Sequence, residues 1–96
     1  MQCVRIEVLK LVRADSPGWV ECSLVDAAGT EWRFVEKVPV VLRDDVSHLA
    51  FLPRPGVLAC AVTRREENDV ATIETHVESI NGQTVFQVLA TQLLEM

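Results

Sequence analysis

The chain has 96 residues, 49% of them hydrophobic, and a formal charge of −5. That length suits a single β-domain over 1–96, able to bury roughly two thirds of its unfolded surface without a metal or a disulfide. The acidic balance argues against a general nucleic-acid or anionic-membrane binder, which needs clustered Lys and Arg, and no apolar run reaches the ~18 residues of a membrane span.

In chain order, the first strand is expected over about Gln2 to Arg13. Val4, Ile6 and Val8 alternate with Arg5 and Glu7, and the apolar parity then switches to Leu9 and Leu11. Such a switch predicts a β-bulge near Val8. The same alternation, in place of an apolar leader core, makes the cytoplasm the expected compartment. Asp15-Ser16-Pro17-Gly18 reads as a type II turn, and the second strand as Trp19 to Val25. Ala27-Ala28-Gly29 suits a three-residue hairpin loop with Gly in the left-handed region. Pairing Asp26 with Thr30 sets Leu24 against Trp32 and Cys22 against Phe34, so that one clean face is buried.

The third strand is predicted from about Thr30 to Leu42, with Glu36 interrupting the apolar parity. Pro39 cannot donate to a ladder and marks a stretch at an edge or leaving the sheet. Residues 43–56 show no β alternation. They form the one long connection, with a helical turn or two over Asp44 to Leu49 and Pro53-Arg54-Pro55-Gly56 as its end. The fourth and fifth strands, Val57 to Arg65 and Val70 to Glu78, flank the polar tip 66–69. Pairing Arg65 with Val70 places Val62 opposite Ile73 and Cys60 opposite Thr75. Asn81-Gly82 suits a two-residue type I′ turn; with Ile80 paired to Gln83 it places Val77 opposite Phe86 and Thr75 opposite Val88. Val62, Ile73, Val77, Phe86, Leu24, Trp32 and Phe34 then share one core. Strands over roughly two thirds of the chain exceed the usual share and call for closure or stacking. The expected architecture is all-β, a six-stranded antiparallel barrel, with a two-sheet sandwich as the alternative.

Phosphate loops, dinucleotide fingerprints, zinc-protease and nucleophile-elbow motifs are absent from the sequence. Asp44, Asp45, Ser47 and His48, with Arg43 and Arg54 nearby, are the one crowding of acid, base and nucleophile types. On a helical turn Asp44 and His48 are i and i+4 neighbours that could share a proton or two positions on a metal, but a third ligand is missing. A capping Asp on a solvated loop explains the same residues. The cysteines are odd in number and widely spaced, which points to no disulfide framework and no cofactor; Cys22 and Cys60 fall on apolar strand faces and Cys3 near the terminus, where it is less constrained.

His76, between Glu74 and Glu78 on the non-core face of the fifth strand, is either a pH-sensitive contact or an ordinary surface residue. Trp19 is either a binding anchor or a ring covered by the Lys37 stem. Val57, Ala59 and Ala61 on the fourth strand, with Val85 and Leu89 on the sixth, form an outer apolar strip where water would favour polar residues. The strip requires cover from within the chain, from a second copy or from another protein.

The segments Pro17-Gly18-Trp19-Val20-Glu21-Cys22, Phe34-Val35-Glu36-Lys37-Val38-Pro39-Val40 and Pro53-Arg54-Pro55-Gly56-Val57-Leu58-Ala59-Cys60 resemble those of small uncharacterised bacterial proteins of about this length. The resemblance implies a bacterial, cytoplasmic, single-domain protein and brings no activity or site residues. The leading expectation is a non-enzymatic protein-interaction module with an acidic β surface, such as a subunit, a regulator or a toxin-neutralising protein, with a homodimer among its forms. The alternative is a small-ligand- or metal-dependent activity at the 43–56 loop. An OB-like single-strand binder would have the barrel but not the basic groove.

Overall fold

The computed structural model describes residues 1–42 and 51–96. β1 (Gln2–Arg13) is the hub of one antiparallel sheet. One of its edges carries β4 (Arg54–Arg65). The other is shared, with β2 (Trp19–Val25) paired from Glu7 to Arg13 and β7 (Leu93–Glu95) paired from Gln2 to Val4. The parity switch is a real bend: the β1–β2 register shifts between Val8 and Lys10 and again between Leu11 and Arg13. β3 (Glu31–Lys37), β5 (Val70–Thr75) and β6 (Val85–Leu89) complete the order β3-β2-β1-β4-β5-β6.

The sheet, 59% of the structure, curls into a half-barrel. This is the barrel-like form expected, not a two-sheet sandwich, with β7 added as a short strand the sequence reading omits. Val4, Val8, Leu24, Phe34, Leu58, Ile73, Phe86 and Val88 are buried on its inner face, with Trp32, Val62 and Val77 partly buried against them. The edge strands β3 and β6 approach each other without a ladder among the described residues. Single bonds tie them, from Ala27 N–H to the Gln87 carbonyl at 2.8 Å and from Ile80 N–H to the Arg33 carbonyl at 2.8 Å. Between these ties the Trp32 ring meets Phe86 edge-on at 5.3 Å and fills the seam.

The hairpin turns share one plan. Asp26 N–H donates to Thr30 O, Glu66 N–H to Val70 O and Ser79 N–H to Gln83 O, each closing a three-residue loop whose last residue has positive φ: Gly29 at 83°, Asp69 at 61° and Gly82 at 80°. The first turn is the one predicted, with Leu24 opposite Trp32 and Cys22 opposite Phe34. The last is a correction, because Asn81 does not take the positive φ a type I′ turn demands and Ile80 lies inside the loop. Ser79 explains it: its hydroxyl accepts from Gln83 N–H at 3.0 Å, the role Asp26 plays for Thr30.

Register follows from these turns. Val62 opposes Ile73 and Cys60 opposes Thr75 as expected, but a bulge between Val62 and Arg64 moves Arg65 opposite Ala71, not Val70. Phe86 opposes Ile73 and Val88 opposes Ala71, a displacement of four residues from the expected pairing with Val77 and Thr75. β5 stops at Thr75, not Glu78, because the buried Thr75 hydroxyl donates to Val77 O at 2.7 Å and turns the chain. An even displacement preserves which side chains face inward, so the predicted core survives the wrong pairing.

β3 ends at Lys37, and Val38–Val41 form the helical turn α1 in place of the strand continuation. Pro39 sits in its first turn, where no N–H is required. Val38 and Val41, three apart, both reach the core. Gly56 admits this turn against the sheet, since a Cβ there would lie 2.8 Å from both Val41 O and Val8 Cγ2. Arg54-Pro55-Gly56 belong to β4 rather than to the loop. Pro55 pairs with Glu7 on the parity whose backbone points away from β1, where β5 has not yet joined, so no ladder bond is lost. In the turn between β1 and β2 Gly18 takes the expected positive φ, 85°, but its N–H donates to Asp15 O, so Pro17, after a cis bond, holds the third position of that turn and not the second of a type II turn.

Candidate interaction surface

The half-barrel has one inner face and one outer face, and the outer face is divided. Over β2 and β3 it carries an ion network set among Trp19, Val25 and Val35, with Val25 47% exposed. Glu21 stands opposite Val35, Ser23 opposite Arg33 and Val25 opposite Glu31. The Arg33 guanidinium holds Glu21 at 2.6 Å and bonds Glu31 through Nε. Trp19, half-buried, pairs with Lys37, whose ammonium lies 5.6 Å from the ring centroid.

Over β4, β5 and β6 the outer face is mostly apolar. Ala61, Glu74 and Val85 form one row across the three strands. Leu89 lies opposite Val70, and Thr72 stands between Arg64 and Gln87. Val57 and Ala59 continue the face along β4 toward β1, half-buried. Val85 is 48% and Leu89 44% exposed, so neither the tail nor any other described segment covers them. The corrected register brings Val85, not Leu89, beside Glu74. Sequence reasoning missed this row because it misplaced the 79–83 turn; Ser79 ahead of Asn81-Gly82 is the signal that could have placed it. His76 lies just beyond β5, exposed, its N–H donating to Ala59 O at 3.0 Å.

Asp44, Asp45 and His48 lie outside the described residues. Arg54 is half-buried at the start of β4. The open grooves among the described residues are shallow. One lies at the 64–68 tip, one between that tip, Ala27-Ala28 and Gln87, and one beside Arg5 and Gln92 where β2 and β7 diverge from β1. There Gln92 Nε2 donates to Val25 O at 2.7 Å, just beyond the Glu7–Ser23 pair where the β1–β2 ladder ends. No three described His, Cys, Asp or Glu side chains come together as metal ligands, and no described helix is long and apolar enough to cross a membrane.

The perturbed groups serve structure. Desolvation works to raise the Asp26 pKa, but bonds from the Trp32 indole, Thr30, Ala28 and Gly29 outweigh it and hold the carboxylate below its ordinary value of 3.8. Glu36, on the inward parity of β3, is raised by burial against weaker opposition from Lys37. The free cysteines Cys3, Cys22 and Cys60 are all buried, Cys3 included, although its terminal position suggested less constraint. Burial, then Glu36 and Glu21, push the Cys22 thiol up to about 12, and burial pushes Cys60 to about 11; neither supplies thiolate at neutral pH. Comparison with protein-family models, curated proteins and solved structures finds no match.

Proposed function

We propose that this chain is a non-enzymatic protein-interaction module that engages a partner protein through the outer face of β4, β5 and β6. The supporting observation is the contrast across one sheet: Arg33 is paired on both sides over β2 and β3, whereas Val85, across Glu74 from Ala61, and Leu89, opposite Val70, stand nearly half exposed. Aliphatic side chains adjoining one another on neighbouring strands gain about 25 cal/mol for each Å² removed from water, before the association cost is subtracted. Two ends of the face are chemically distinct, with Leu89 and Val70 at one and Glu74 with Val85 at the other.

The test is affinity capture from the native cell with the wild-type chain and with a Val85→Asp/Leu89→Asp variant of unchanged circular dichroism. Loss of one defined protein with the variant supports the reading. Identical captures from both would refute it.

A further inference from the structure

Resting on that reading, we propose that the partner is a basic protein that sets a Lys or Arg side chain, flanked by apolar residues, onto Glu74. Glu74 occupies the middle of the Ala61–Glu74–Val85 row. Thr75 N–H bonds Thr84 O, and the alternation of an antiparallel ladder then makes Glu74 and Val85 a non-hydrogen-bonded pair, the kind whose side chains lie closest. Glu74 is exposed and, among the described residues, has no hydrogen-bond or ion-pair partner. Its counterparts over β2 and β3 differ, since Glu21 and Glu31 share Arg33. The cation on the outer side of β4, Arg64, is turned to Glu66 at 3.0 Å.

A lone carboxylate flanked by Ala61 and Val85 at this end of the face would be enclosed by a partner packed over them. Contacts around it exclude water, and a charge-assisted bond formed there is stronger than one at a wet rim. The charge of −5 steers the same class of partner. A second copy would fit less well. It would bring its own Glu74, while Arg5, the cation that borders this face, stands opposite Val57 on β1, two strands from Glu74, Lys37 lies on β3 beside Trp19 and Lys10 on β1 opposite Glu21.

The test is a titration of the ¹⁵N-labelled full chain with two blocked peptides of equal length, one alternating Val with Arg and one alternating Val with Glu. The Val/Arg peptide should shift the amides of Ala61, Glu74, Val85 and Leu89, and the Val/Glu peptide should not. Glu74→Gln should weaken the Val/Arg peptide about tenfold or more. Glu7→Gln, the same loss of charge on the outer face of β1, should change it less than about twofold. Equal weakening by both variants reduces the effect to net charge and overturns the proposal. Binding of both peptides at this face, indifferent to Glu74→Gln, overturns it while leaving the interaction reading standing. Shifts confined to other surfaces, or none, remove both. A wild-type dimer in sedimentation velocity that Leu89→Glu dissociates would assign the face to a second copy and likewise overturn the proposal.

Discussion

The two halves of the outer sheet face share one curl and one core, yet they treat their side chains oppositely. Over β2 and β3 the charges answer one another, with Arg33 between Glu21 and Glu31 and Lys37 over Trp19. Over β4, β5 and β6, Ala61 and Val85 flank a Glu74 that has no partner among the described residues, and Leu89 stands opposite Val70 farther along the same face. Folding constrains the inner parity of a strand and leaves the outer parity free. On the proposed reading, the contrast reports on what the outer face meets and not on what holds the sheet together.

The sharpest way to break this separation is to truncate adjacent residues of β6. Phe86 is 3% exposed and packs against Trp32 and Phe34, so Phe86→Ala should cost about 3–5 kcal/mol through lost burial and a residual cavity. Val85→Ala, one residue away on the outer face, should change stability by less than about 0.5 kcal/mol. Both are read from urea unfolding midpoints at constant m-value; comparable losses would mean that the outer face is part of the core.

Glu36 tests the inner face of the charged half. Its raised pKa means that the folded state favours the neutral carboxyl, so stability is lost as pH rises from the ordinary value of 4.5 through the higher folded value. Glu36→Gln removes that loss. The melting temperature of the variant minus that of the wild type should grow across this window and then level off. A difference that shrinks with pH would reverse the assignment.

A smaller effect belongs to the 67–69 loop, where Asp69 takes the position that glycine fills in the other two turns. Asp69→Gly should relieve left-handed strain at some entropic cost, for a net gain of about 0.5–1 kcal/mol in the same urea assay. Destabilisation would show that the Asp69 side chain contributes more than its backbone strain removes.

Much of the fold was legible because β patterning has period two. β1, β2 and the Asp26–Thr30 turn follow from alternation and from one glycine. What escaped are features set by single hydroxyls and by the third dimension. Ser79 and Thr75 each redirect the chain through one hydrogen bond, and an even slip leaves every buried residue buried, so parity cannot detect it. α1 escaped because Val38 and Val40 also fit a strand; the close approach that favours the helical turn is visible only once Gly56 lies beneath Val41. The apolar strip was legible as a set of residues, but the Ala61–Glu74–Val85 row depended on the register.

The central claim, that one half of the outer face meets a protein and the other meets water, is tested most directly by photo-crosslinking in the native cell. A benzoylphenylalanine would be placed either at Val85 or at Val35, its counterpart in the charged half. The account predicts a discrete heterologous adduct from Val85 that is lost with Glu74→Gln, and none from Val35. Adducts of equal yield from both positions, or none from Val85, would contradict it.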